Sequence, residues 1–188
     1  MCGVDVAYKG GLGAGAAVVL SYPGLEVQEI KVVFGRALIP YIPTYLAFRE
    51  MPFLVRLVLK LEAKPSLFMI NGHGVYHPAG LGLASHFGVS FDVPTIGVSG
   101  GMLKVEGQSE KGGSIFVGGK RVCCILGVRA GSRSEGHRGI YVSAGHRMSL
   151  DRAVEVTRSC FRDHSRPEPL FLADKITKKA IRSADVYG

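Results

Sequence analysis

Apolar and polar positions alternate over residues 3–9, the period of a half-buried strand, and the glycine-rich residues 10–15 that follow have the composition of a turn. Residues 16–22 and 27–34 repeat the β-rich pattern with Pro23 and Gly24 between them, so three consecutive antiparallel strands are expected. The period then changes. Pro40-Tyr-Ile-Pro43 is too rich in proline for a regular element, whereas Phe53, Leu54, Leu57, Val58 and Leu61 fall on one helical face behind an entry at Pro52. Pro65 closes that helix.

Short apolar strands at residues 67–70 and 95–98 flank a helix expected over 79–87, which together spell a βαβ unit with parallel strands. Residues 105–113 are polar and glycine-rich and are expected to form a flexible loop. Further strands are expected at 114–117, 122–128 and 139–142. Ser149 is placed to cap a helix running to about Phe161, residues 163–169 read as a loop, and residues 173–183 as a basic terminal helix.

With 188 residues, 47% of them hydrophobic, the chain has enough apolar material for one sizeable core and reads as a single domain spanning residues 1–188. No apolar run approaches the roughly 20 residues of a membrane span, and Met1-Cys-Gly-Val-Asp opens on a strand pattern rather than a basic leader, so no membrane partner and a cytoplasmic location are expected. Cys2, Cys123, Cys124 and Cys160 show neither disulfide nor metal-ligand spacing and read as free buried thiols. The net charge is +8, and residues 100–188 hold sixteen Lys/Arg against nine Asp/Glu while residues 1–99 are nearly balanced. That asymmetry fits a polyanionic partner as well as it fits a solubilising surface.

Three antiparallel strands followed by a helix and parallel strands is the order of an α/β, ribonuclease H-like mixed sheet flanked by helices. That architecture brings a carboxylate of the first strand beside acidic groups from the following helix and the fourth strand, around divalent metal ions. Asp5 between Val4 and Val6, Glu50 just before Pro52, and Asn71 at the end of the fourth strand have the required spacing. A lone Asp in an apolar strand needs a charge partner or a metal, because burying an unpaired carboxylate is costly. A structural pair with Arg49 is the other reading of Asp5.

The chain resembles the endonuclease V family in Gly3-Val-Asp-Val-Ala-Tyr8, Pro40-Tyr-Ile-Pro-Thr-Tyr-Leu-Ala-Phe-Arg-Glu50, Gly72-His-Gly-Val-Tyr-His-Pro78, Gly82-Leu-Ala-Ser-His-Phe-Gly88, Pro94-Thr-Ile-Gly-Val98 and Val142-Ser-Ala-Gly-His-Arg-Met-Ser-Leu150. Six motifs in one order are specific where any one of them is not. The resemblance implies a Mg²⁺- or Mn²⁺-dependent nuclease that cuts DNA or RNA at the second phosphodiester 3′ of inosine. It makes Asp5 and Glu50 metal ligands, puts Asn71 at the third carboxylate position, and places His146 near the metal or its water. It makes Tyr41, Ile42 and Pro43 a stiff wedge that separates strands as the base leaves the stack. Thr44, Leu46, Gly72, Gly82 and Leu83 would line the base pocket, and His77, before Pro78, would order the loop around it.

Three positions depart from the family pattern. Asn71 stands for an aspartate, keeping one ligand oxygen but losing a charge. Ser99-Gly100-Gly101 stands where a lysine is expected, the nearest following cation being Lys104. Thr44 stands for a glycine, and its Cβ favours negative φ and a tighter pocket.

Other motifs carry less. His73 and His77 are four apart, but Gly72, Gly74 and Pro78 disfavour the helix a zinc pair of that spacing needs. Gly11-Leu-Gly-Ala-Gly-Ala16 fits a dinucleotide fingerprint on paper, yet the residues after it read as strand, so a hairpin turn is expected. Ser99, His146 and Asp92 would make a hydrolase triad without a nucleophile elbow. His86 reads as a core residue, and His137 and His164 as loop residues without a signal. Two function classes remain open from the sequence: a metal-dependent endonuclease, and a catalytically impaired relative that binds nucleic acid without cutting it. Nothing demands more than a monomer.

Overall fold

The computed structural model describes residues 1–127 and 139–184. Within these residues nine strands form one sheet in the order β3-β2-β1-β4-β5-β9-β8-β7-β6. The strands β1 (Cys2–Lys9), β2 (Leu12–Leu20) and β3 (Val27–Arg36) run antiparallel, as their alternation predicts. β4 (Phe68–Asn71) then joins β1 in parallel and β5 (Thr95–Ser99) joins β4 in parallel. Beyond β5 lie β9 (Ile140–Ala144), β8 (Lys120–Leu126), β7 (Ser114–Val117) and β6 (Gln108–Lys111), all antiparallel to their neighbours.

The Gly10-Gly11 pair, at φ +55° and +84°, makes the two-residue turn between β1 and β2. β2 therefore begins at Leu12, earlier than expected, and runs straight through the glycines of the apparent dinucleotide fingerprint. β6 replaces the flexible loop expected over 105–113. It is an edge strand with no buried residue, so its polar composition hides it, and Gly112 and Gly113 at φ +56° and +69° turn it into β7.

Helices cover both faces. The helices α1 (Leu46–Lys60) and α2 (Leu83–Phe91) pack Phe53, Leu54, Leu57, Leu83 and Phe87 against Cys2, Val4, Val6, Phe68 and Ile70. On the other face α3 (Leu150–Ser159) and α4 (Glu168–Ala184) pack Val156, Cys160, Leu170 and Ala173 against Met69, Ile96, Val98 and Val142. α1 starts well before Pro52, which lies inside it, because Ala47, Glu50, Phe53, Leu54 and Leu57 form one buried stripe and burial outweighs the lost backbone bond. α2 starts later than expected, after a turn closed by Gly80 N–H to the His77 carbonyl at 2.8 Å with Gly80 at φ +65°. α3 is capped by Ser149 Oγ, which accepts from Arg152 N–H at 3.2 Å. α4 begins at Glu168, inside the expected loop, with Pro169 in the first turn where its missing N–H costs nothing.

The four cysteines are free, and Cys123 and Cys124 sit in different clusters on opposite faces. Among the described residues no helix is long and apolar enough to cross a membrane. Val128, the expected end of β8, and His137 lie outside the described residues.

Candidate active site

Two glycines bring the site together. A Cβ on Gly3 would lie 2.2 Å from the Pro169 carbonyl oxygen, so the start of α4 can close on β1 only because residue 3 has no side chain. Asp5, two residues on, shares that face and so looks toward α4. On the opposite face a Cβ on Gly97 would lie 2.4 Å from Gly74 N, and its absence lets the loop after β4 fold across β5 before α2 begins.

The register sets Val4 beside Ile70, which brings Asp5 level with Asn71. Asn71 Nδ2 donates to Asp5 Oδ1 at 2.5 Å. Glu50 reaches the same place from α1. Both carboxylates are almost wholly enclosed, Asp5 5% and Glu50 7% exposed. Burial raises the Asp5 carboxyl above its ordinary range, against the lowering effect of the Asn71 bond, while Asp174 raises it and Arg166 lowers it. Burial, and then the charge of Asp5, holds Glu50 well above the usual carboxylate range. Arg49 does not pair with Asp5. It donates to the Ile39 carbonyl at 2.6 Å and lies over the Tyr8 ring at 4.1 Å.

Asn71 joins Asp5 to a cavity of about 270 Å³ that Glu50 also lines, just short of the roughly 300 Å³ at which small-molecule pockets usually begin. Tyr41, Thr44, Leu46, Gly72, His77, Gly82 and Leu83, expected around a base, line it as well. Ile42 and Pro43 do not line it. Tyr41 is 67% and Ile42 44% exposed, so the loop stands out at the cavity rim. Ala47, His73, Ser99, Gly101, Met102 and Leu103 complete the wall without having been singled out for it. His73 is edge-on to Tyr76, with ring centroids 5.1 Å apart, and burial lowers its pKa to about 4, so the imidazole is neutral near pH 7.

His77 holds the loop in place. Its Nδ1 accepts from Ala79 N–H at 3.2 Å, which makes Nε2 the donor to the Thr44 carbonyl at 2.9 Å. Thr44 itself sits at φ +69°, the left-handed region, contrary to the negative φ expected for a β-branched residue. The fold imposes the backbone shape a glycine would take and the His77 bond helps to hold it.

His146 is not part of this arrangement. Its backbone N–H donates to Thr95 Oγ1 at 2.8 Å, and its Nε2 lies 2.9 Å from Asp92 Oδ1. Thr95 pairs with Phe68, three residues before Asn71, so His146 belongs to the opposite end of the parallel strands, roughly 10 Å from the level of Asp5 at about 3.3 Å per residue. The same geometry dissolves the hydrolase triad, because Ser99 is at the far end of β5 from the Asp92 and His146 pair. His86 is half-buried against Phe48, with ring centroids 6.0 Å apart. His164 is not a bare loop residue. It lies 2.6 Å from Glu168 and stacks edge-on to Phe171 at 3.7 Å between centroids.

Sequence reading missed Asp174. It lies on α4 in the stripe Leu170, Asp174, Thr177, Ile181, so its spacing could have marked it as inward-facing where only the basic character of the helix was read. Lys178 Nζ holds one Asp174 oxygen at 2.8 Å, and Arg166 lies 3.4 Å from the other.

A sequence model described as Endonuclease V matches residues 1–175. The chain is 40% identical to the Endonuclease V of Aeropyrum pernix over 182 residues, 94% of this chain and 68% of that protein. The chain belongs to the endonuclease V family. Among solved structures it is similar to the catalytic domain of human Endonuclease V, with TM-score 0.87 and 33% identity over 100% of this chain and 84% of that one. It is also similar to Ciona intestinalis Endonuclease V in complex with DNA containing an inosine followed by a ribo-adenosine, with TM-score 0.84 and 28% identity over 97% and 86% of the two chains. The sheet order and flanking helices are accordingly the ribonuclease H-like fold of endonuclease V.

Within that endonuclease V frame, the donor set suits a hard divalent cation. Two buried carboxylates and an amide oxygen are the ligand types Mg²⁺ and Mn²⁺ take, and a cation would offset the cost of enclosing Asp5 and Glu50. Among the described residues no three His, Cys, Asp or Glu side chains form such a group, and the partner beside Asp5 is the amide of Asn71. Lys104 is exposed and does not line this cavity.

Proposed function

We propose that this protein is a divalent-metal-dependent endonuclease that cuts nucleic acid at the second phosphodiester 3′ of an inosine. The observation that carries the reading is the pair of enclosed carboxylates, Asp5 and Glu50, joined through Asn71 to a cavity of about 270 Å³ with an exposed Tyr41 loop at its rim. Asp5, Glu50 and the Asn71 amide oxygen would hold Mg²⁺ or Mn²⁺. The cation would supply Lewis-acid stabilisation of the phosphoryl oxygens.

The chain's own residues do the rest. The stiff Pro40–Pro43 loop separates the strand around the lesion, and Tyr41 takes the space the base leaves. The extruded base enters between Thr44, Gly72, Gly82 and Leu83, where backbone and small groups can approach a flat ring. Neutral His73 offers it a hydrogen-bonding edge. A water attacks the phosphorus beside Asp5 and Glu50, which stay ionised as ligands. That water forms the new bond to phosphorus, the bond to the leaving oxygen breaks, and its proton passes to the leaving oxygen. Asp174 adds a third acid whose charge acts on Asp5.

Binding without cutting is the second reading, and the Asn71 bond to Asp5 favours it, because it satisfies one carboxylate oxygen with no cation present. Calorimetric titration with Mg²⁺ and Mn²⁺, run beside a cleavage assay on inosine-containing DNA and RNA, tests the choice. Metal binding with metal-dependent cutting supports the enzyme; strand binding with neither supports the alternative.

A further inference from the structure

On the α4 side of Asn71 lies a second, narrow cleft of about 10 Å³, lined by Asn71, Ser99, Gly100, Arg166 and Pro167 among others. It is the space of about one water molecule. It adjoins the first cavity, which shares Asn71 and Ser99 with it. Among the described residues of both linings Arg166 is the only lysine or arginine. Its position is fixed at two points: the bridge of Phe161 to Pro167 closes the loop that carries it, and Asp174 lies 3.4 Å from its Nη1.

Phosphodiester hydrolysis gathers negative charge on the non-bridging oxygens as water adds and the old bond breaks. The carboxylates at the site repel that charge, so a cation is needed beside them. We infer that Arg166 binds the phosphate that is cut, an inference that rests on the nuclease reading above. The residues 99–101, where the family pattern has a lysine, carry no cation, and Arg166 lines the same cleft as Ser99 and Gly100.

Asp174 does not consume the guanidinium. At 3.4 Å the contact is longer than the 2.7–2.9 Å typical of a charge-assisted bond, and Lys178 already holds the other carboxylate oxygen at 2.8 Å. A guanidinium has five N–H donors, and a phosphate accepts two of them in parallel. The Arg166 side chain is 40% exposed, so a strand can reach it.

A coupled substitution of residue and phosphate tests the assignment on the full chain. An inosine-containing single strand is made with a neutral methylphosphonate at the second linkage 3′ of the inosine. Its affinity and that of the unmodified strand are measured in EDTA, where the strand stays whole, for the parent and for Arg166→Gln. Neutralising the linkage is expected to weaken the parent about tenfold and Arg166→Gln hardly at all, the share of one charge-assisted bond. With Mg²⁺ or Mn²⁺, Arg166→Gln is expected to lower kcat/KM about 100-fold, about tenfold of it through KM and the rest through kcat, and Arg166→Lys to recover part of it. A purely structural arginine would instead lower Tm and give no dependence on that one phosphate. Coupling without cutting by the parent sinks the nuclease reading and leaves Arg166 as the phosphate ligand. Cutting by the parent with additive affinity losses overturns Arg166 and leaves the nuclease reading standing.

Discussion

Asn71 donates through Nδ2 to Asp5 Oδ1 at 2.5 Å, and that bond turns two residues of neighbouring parallel strands into one unit. The amide supplies the geometry of a carboxylate pair without its repulsion. In a site where burial raises both Asp5 and Glu50, with Asp5 adding to the rise at Glu50 and Asp174 to the rise at Asp5, a further negative charge has no partner until a cation arrives.

Asn71→Asp therefore acts in opposite directions with and without metal. In EDTA the variant is expected to have a lower Tm than the parent, because like charges at that distance cannot both ionise freely. In Mg²⁺ or Mn²⁺ it is expected to bind the cation more tightly and to cut faster. Thermal unfolding and calorimetry on both proteins check the two signs.

The raised carboxyls make the metal-free protein more stable in mild acid. A group whose folded pKa lies above its unfolded value contributes stability fully present below the unfolded value, and lost as pH rises through the folded one. For Glu50 that window opens in the ordinary carboxylate range and extends upward to its raised value. Denaturant titrations in EDTA should show stability falling as pH rises across that window, and Glu50→Gln should flatten the fall. Cation affinity should rise over the same window as the carboxyls deprotonate.

Thr44→Gly tests the strained loop. A non-glycine residue in the left-handed region costs roughly 1–3 kcal/mol, and glycine removes most of that while adding some chain entropy. A gain of about 1 kcal/mol is expected in chemical denaturation, with the His77 bond to the residue 44 carbonyl retained. His77→Ala should lose that gain and loosen the loop. Equal stability of Thr44→Gly and parent would mean that the surroundings, not the threonine, carry the strain.

Tyr41→Ala addresses recognition. Stacking of a base on an aromatic ring contributes roughly 1–3 kcal/mol, so the variant should lose most of its preference for inosine-containing over ordinary duplex while keeping its Tm. Undiminished discrimination would reduce the loop to a rigid connector.

Much of this site was legible in the chain, and the reasons differ by residue. Asp5, Glu50 and Asn71 announce themselves as polar residues at fixed spacings in apolar elements, and the six motifs around them lead to one family. The cavity residues followed from the same motifs. His146 did not, because its motif leaves the end of β9, antiparallel to β5, and a motif's place in sequence does not say which end of the sheet it occupies. Thr44 misled through propensity, which tertiary contacts overrode. β6 was invisible because a polar edge strand has no buried face to set a period, and α1 and α4 were entered late because proline was taken as a boundary where burial carried the helix across it. Asp174 comes from a helix read only for its basic charge and Arg166 from a stretch read only as a loop; their meaning appears when Gly3 lets α4 close on β1.

One mapped digestion separates a nuclease from a protein that only binds the strand. A 5′-labelled strand with a single inosine is incubated with Mg²⁺ or Mn²⁺, with the parent and with Asp5→Ala, and the product is sized to the nucleotide. A single product is expected from the parent, ending at the second phosphodiester 3′ of the inosine, and none from Asp5→Ala or without metal. An intact strand with the parent in both metals, or the same product with Asp5→Ala, would contradict the nuclease reading.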